Sequence, residues 1–516
     1  MNNICIGALS LLLMAGTAST GLCAKDNGKG GRERIQLNGT WHSTLGDCRL
    51  PGIPDKASGA AGLSSGRQWI LYHRTVSVPS SFAGRRLRLV LERAGESTLW
   101  VDGDSIGRFR HPSLPHVYDL PALSGDKVEV ALKTSGAIYG DMYIEACDST
   151  YISGLEVMPD MSSGMADVHI SVDAAYSGRA YIRLGVNRME VSSKEAADDV
   201  LQYEVYLSKG RNDFRYRMEI ADSVALWSEF HPDLYRLSAA LSASGSSDKA
   251  ECVFGVRDIL VEGGAMHVNG NRVFLRGKRY SGASKEGRKQ MKEWWWRMMF
   301  SKAAESGVNY WHIDSYSLPE AAFAAADREG VYISSMDSSI GRRHPSFIPS
   351  AAGIDMLWIG RKDASADYMD NIEEAMNEDY GGFLLPDIAL SDIKAAALMP
   401  LALHGREVFE RGDTLDVMVG VANYTESGWQ GQVEWSVVAD ELRPVTKETL
   451  PAFKGRIDCT AGQGKTERAG RVFLPLSMLG LKEGETCRLT LTLSIGDFKS
   501  IYIFRAGSVE SPASAE

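Results

Sequence analysis

The chain lacks most of the signatures that would assign it a common activity. Apart from its first residues, no stretch approaches the roughly 20 apolar residues that a membrane span needs, so no span is expected in the mature chain. Charges are dispersed and sum to -10. Nucleic-acid binding needs a basic patch, and a membrane-surface helix needs a basic face; neither is present. There are seven cysteines but no Cys-x-x-Cys and no His/Cys cluster, which argues against a structural zinc site. His-Glu-x-x-His and a P-loop are missing, and the letters Gly62-Leu63-Ser64-Ser65-Gly66 fall in a loop rather than at the strand-to-helix elbow that Gly-x-Ser-x-Gly chemistry needs, which argues against three familiar hydrolase and nucleotide chemistries. The stretch Gly62 to Gly66 is a small polar loop rather than a phosphate cradle. No cofactor and no metal are expected.

What is present begins with a short apolar core, Ile6 to Ala15, followed by small residues and a cleavage-like Leu22-Cys23-Ala24. This pattern predicts a signal peptide over 1–24 and export to the periplasm, cell surface or exterior of a bacterium. Cys5 and Cys23 fall in or beside it. Of the other five, Cys459 and Cys487 share one β-rich stretch and could pair or remain buried thiols.

The mature chain reads in four parts. Residues 33–150 alternate as in Arg86-Leu87-Arg88-Leu89-Val90-Leu91, with turns such as Asp102-Gly103, and predict a β-sandwich of jelly-roll type. Residues 151–262 repeat that character, as in Tyr203-Glu204-Val205-Tyr206-Leu207, and predict a second, immunoglobulin-like sandwich. Residues 399–508 return to alternation and predict a C-terminal sandwich of the same kind. Residues 263–398 differ. The runs starting at Val273, Gly307 and Gly330 read as strands separated by helices, the opening of a parallel α/β barrel. A full barrel takes roughly 250 residues. The next strong strand starts at Gly381, and the span from Ser338 cannot hold the missing units of roughly 25–30 residues each. The expectation is an open segment of about four strands, with an edge to be covered by the region 341–353 or by a Trp-rich helix.

That helix contains Trp294-Trp295-Trp296-Arg297-Met298-Met299-Phe300. Met291, Trp294, Trp295, Met298 and Met299 follow helical spacing and form one wide apolar face, with Trp296 and Phe300 on the other side. A helix apolar all round calls for extra cover, by the segment's own remnants or by a partner or second subunit over Trp294–Phe300.

The order of these parts resembles glycoside hydrolase family 2, the β-galactosidase and β-glucuronidase group. Leu50-Pro51-Gly52, Leu99-Trp100-Val101-Asp102-Gly103 and Pro115-His116-Val117-Tyr118-Asp119-Leu120 resemble its sugar-binding jelly roll. Leu226-Trp227-Ser228, Pro232-Asp233-Leu234-Tyr235 and Phe254-Gly255-Val256-Arg257 resemble the exit of its immunoglobulin-like domain. Val268-Asn269-Gly270 with Phe274-Leu275-Arg276-Gly277-Lys278 resembles its first barrel strand. Pro319-Glu320-Ala321-Ala322-Phe323 resembles its second barrel helix, and Gly381-Gly382-Phe383-Leu384-Leu385 its last strand.

The resemblance implies a retaining glycosidase, which needs two carboxylates about 5–5.5 Å apart at the C-terminal ends of barrel strands. In the family these are a Glu after Asn ending the fourth strand and a Glu ending the seventh. The only Asn-Glu pair here is Asn377-Glu378, just before a strand and hence at its opposite end. Asp314, Asp337 and Asp387 are the carboxylates at surviving strand ends, where Asp also serves as a helix N-cap. Arg276, Lys278, Trp311, His312 and Tyr316 are the residues that the resemblance implies for substrate binding. Arg279-Tyr280 follows Lys278 in place of the His-Asp expected in relatives. The expectation is therefore an exported carbohydrate-associated protein of this type without an intact catalytic pair, with a glycan as ligand. The alternatives are an active exo-β-glycosidase with a rearranged site, and an internally deleted product of a longer enzyme.

Overall fold

The computed structural model describes residues 32–52, 69–111, 114–123, 125–135, 137–189, 200–280, 287–313, 318–335, 343–348, 353–359, 372, 374–376, 378, 380–386, 395–403, 407–440 and 452–507. The predicted signal peptide lies outside them.

Alternation of apolar and polar residues does in the first part what it should: one side of each strand is removed from water and the other stays wet. In Lys127–Ser135 the residues Val128, Val130 and Leu132 are buried while Lys127, Glu129 and Lys133 are exposed. Two antiparallel sheets of four and six strands close on a core that includes Trp41, Tyr72, Leu89, Leu99 and Ile144. The second part is a sandwich of a three-stranded and a four-stranded sheet around Ile170, Ile182, Leu237 and Phe254. A buried arginine cluster in the first domain reaches the second through Arg32. Arg32, Arg34 and Arg88 converge on Glu145, and Arg32 also holds Asp248 at 2.7 Å. Burial opposes the charge on Glu145, but the three guanidiniums keep its carboxyl below the usual range. The C-terminal part is again a sandwich, of three and five strands.

Between them lies the α/β segment. Its elements are β1 (Leu275–Arg279), α1 (Glu293–Glu305), β2 (Tyr310–Ile313), α2 (Glu320–Glu329), β3 (Tyr332–Ser335), β4 (Met356–Trp358) and β5 (Gly382–Leu385). All five strands are parallel, in the order β3-β2-β1-β5-β4. Among the described residues this is one more than the expected four or so. The addition is β4, whose three residues are too few to show a period. The edge of β3 is covered from the region 341–353 as expected: Ile333 N–H donates to Ser346 C=O and Ile348 N–H to Ile333 C=O, both at 2.8 Å. The α2 helix stops where Gly330 takes a left-handed conformation (φ 67°), which glycine tolerates at a helix C-terminus. A Cβ there would lie 2.4 Å from Glu229 O, so the same glycine lets the second domain approach.

One face of this sheet carries Trp311, Ile333, Phe383 and Leu385, packed under Trp295, Trp296, Phe300, Phe323 and Ala326 of the helices. The C-terminal sandwich completes the cover through Met399, Leu401 and Tyr424, with Tyr424 stacked on Phe274 at 4.7 Å. The Trp-rich helix thus corrects the sequence reading. Trp296, Phe300 and Ala303 make the buried stripe, with Trp295 beside it. Trp294 is 59% exposed and Met298 is also exposed. The chain's own sheet covers the buried side, and the helix is not apolar all round. The five described cysteines, Cys459 and Cys487 included, are free thiols.

Candidate carbohydrate site

Pleating decides which side chains can meet. The register sets Arg279, His312 and Ser334 in one row, and Gly277, Tyr310, Tyr332, Leu384 and Trp358 in another two residues below. Residues two apart share a face, so these project together from the face away from the helices. Lower on that face, Leu275, Tyr310, Tyr332 and Leu384 pack with Trp227, Met266 and Val268. Toward the C-terminal ends of the strands a polar cluster opens. Ser334 Oγ lies 2.7 Å from His312 Nδ1 and 2.5 Å from Tyr310 Oη, and Tyr310 Oη is 3.2 Å from His312 Nδ1. The His312 ring meets Trp358 edge to face at 5.7 Å and 84°. The Arg279 guanidinium stands over the same indole at 5.7 Å, within cation–π range. Trp358 remains 56% exposed. Gly277 makes room for the arrangement: a Cβ there would lie 2.6 Å from the Tyr310 ring.

An exposed indole flanked by a guanidinium and an imidazole can stack on the apolar face of a sugar ring and exchange hydrogen bonds with its hydroxyls. Only His312 of the residues implied for substrate binding joins this cluster. Arg276, Lys278 and Trp311 alternate onto the helix side. Arg276 donates to Glu229 Oε2 at 3.0 Å and to Gly307 C=O at 2.7 Å, and Lys278 stands over Trp311 at 5.3 Å, both buried. Tyr316, Asp314, Asp337 and Asp387 lie outside the described residues. Glu378 is described and sits before β5, where its N–H closes a helical turn on Glu374 C=O at 2.9 Å. It borders a cavity of about 390 Å³ together with Ile354, Asp355, Met356, Trp358 and Tyr380. Sequence reasoning missed Trp358, Ser334 and Tyr310 as site residues. The alternation Tyr310-x-His312 was the available signal; Trp358 had none, since the isolated run Met356-Leu357-Trp358 does not declare itself a strand.

The architecture is that of a multidomain, mostly β protein. Residues 150–257 match the model of the glycosyl hydrolases family 2. A β-galactosidase of Thermoanaerobacterium thermosulfurigenes is 22% identical over 167 residues, covering 31% of this chain and 22% of that protein's length. The match thus spans under a quarter of the curated relative. Among solved structures, a β-D-mannosidase from Dictyoglomus thermophilum superposes with a TM-score of 0.68 at 11% identity, over 92% of this chain and 89% of that one. A β-glucuronidase of Bacteroides uniformis gives 0.56 at 13% identity, over 92% and 80%. These two share the fold. The family 2 match is confined to residues 150–257; over the rest of the chain the likeness is one of fold.

Proposed function

We propose that the protein is an exported carbohydrate-binding relative within glycoside hydrolase family 2 that does not hydrolyse glycosides. One observation carries this reading. The described strand ends of the helix-free face present Trp358, Arg279, His312 and Ser334, a set suited to holding a sugar, and none of these is a carboxylate. Retaining hydrolysis requires two carboxylates at a set separation, each tuned by its surroundings. The family 2 match and the likeness to glycosidase folds support a glycan as ligand. Export rests on the apolar core Ile6 to Ala15, and an N-terminus starting near Ala24 in exported protein would agree with it.

The test pairs glycan binding by calorimetry with turnover of nitrophenyl β-galactosides, β-glucuronides and β-mannosides. Binding without turnover is expected. Turnover that disappears in Asp314→Asn, Asp337→Asn, Asp387→Asn or Glu378→Gln would overturn the proposal in favour of an active exo-β-glycosidase with a rearranged site. A purified chain that neither binds glycans nor unfolds cooperatively would overturn it in favour of an internally deleted product.

A further inference from the structure

A sheet edge with free backbone N–H and C=O groups is a template for another strand, and natural proteins blunt such edges with lysine, proline, bulges or cover. The second domain treats its edges unequally. At one end of its four-stranded sheet, the strand Ser246–Phe254 is buttressed by the neighbouring sheet, with Asp248 accepting from Ile152 N–H at 2.8 Å. The outer strand of the three-stranded sheet, Gly210–Glu219, is guarded by Arg211, Asp213, Arg215 and Arg217. Of the other two edges, Tyr151–Asp160 carries Gly154, Pro159 and a register shift between Ile152 and Gly154, whereas Val200–Leu207 has the sequence VLQYEVYL, with no lysine, proline or glycine. It pairs on one side with Gly178–Arg188 in an unshifted register, and it is outermost in its sheet among the described residues. Exposed large apolar residues gather here: Val200, Leu201 and Tyr206 on the strand, the last 68% exposed, with Tyr181 on its neighbour and Tyr176 close by. Tyr203 is braced from behind by a 4.0 Å stack on Tyr216.

We propose that this edge pairs with the same edge of a second copy of the chain, about a two-fold axis at Tyr203. Facing residues in an antiparallel pair lie on one side of the sheet, so the axis must pass through a residue rather than between two. An axis at Glu204 would oppose Glu204 to its own copy, and like charges directly opposite destabilise a sheet. An axis at Tyr203 sets Glu204 against Gln202, Val205 against Leu201, and Tyr206 against Val200. From Val200 to Tyr206 every apolar side chain then meets an apolar one, and the single charge meets an amide. The contact is isologous and closes on itself. It joins two four-stranded sheets into one of eight.

The test is the self-association of the full chain, followed by sedimentation at concentrations up to tens of micromolar. A dimer is expected. Gln202→Glu brings two Glu–Glu contacts into each dimer and should raise its dissociation constant about tenfold, whereas Gln202→Lys creates two Lys–Glu contacts and should lower it. Within one chain Gln202 faces Arg183. An effect on folding alone would therefore run the opposite way, with Gln202→Glu the more stable variant on heating. A monomer throughout that range, or a dimer insensitive to both substitutions, overturns the proposal.

Discussion

The Glu229 carboxylate and the Arg276 guanidinium meet at 3.0 Å, both side chains buried, where the immunoglobulin-like domain passes its chain to β1. Asn309 donates to the same carboxylate oxygen at 2.6 Å. Burial raises the Glu229 carboxyl, against the opposing pull of Arg276 and Asn309. An arginine that the family resemblance implies for substrate is thus engaged in joining two domains.

Removing one partner of a buried pair leaves the other charge stranded, at a cost of about 3–5 kcal/mol. Arg276→Met should lower unfolding stability by that order at pH 8. The loss should shrink toward pH 5, as the stranded Glu229 takes up a proton. Denaturant titrations at the two pH values check this. An equal loss at both would show that packing, not charge, accounts for the effect.

The two sides of α1 should respond very differently to truncation. Trp296 is fully buried, its indole N–H donating to Gln290 C=O at 2.7 Å, and Trp296→Ala should cost about 3–5 kcal/mol. Trp294→Ala, on the exposed side, should stay within about 0.5 kcal/mol of the parent. Comparable losses for the two would mean that Trp294 is covered in solution.

His344 supplies a pH dependence. It is buried with Asp327 at 2.6 Å from Nδ1 and Glu320 at 3.1 Å from Nε2, and Phe323 stacks on it at 5.3 Å. Burial opposes its charge, but the two carboxylates outweigh burial and push its pKa up to about 9. The native state therefore holds a proton that the unfolded chain releases near 6.5. The resulting stability is fully present below about pH 6.5 and is lost as pH rises through about 9. Melting temperature should fall across that window, and His344→Gln should flatten the fall. An unchanged slope in the variant would assign it to other groups.

Trp358 is the indole through which glycan binding should be felt. Trp358→Ala should weaken binding about tenfold, or about 1.4 kcal/mol, with little change in melting temperature because the ring is half exposed. Affinity equal to the parent's would move the site off this face.

The sequence by itself determined the β-sandwiches, the parallel strands and the order of domains. Each depends on a period of apolar residues that is written locally, such as the alternation in Lys127–Ser135. It also determined that Glu378 precedes β5 and so sits at its N-terminal end. The placement of polar side chains on the sheet was decided by tertiary structure. Arg276 and His312 both stand in strands beside glycines and aromatics, and nothing local says which face of the sheet will carry helices. Only the parallel register, and the packing of α1, α2 and the C-terminal sandwich on one side, send Arg276, Lys278 and Trp311 inward and leave His312 with Ser334 and Trp358. The same holds for α1, whose two apolar stripes are alike in sequence. The stripe that is buried is the one that meets Trp311 and Phe323 when the helix lies on the sheet.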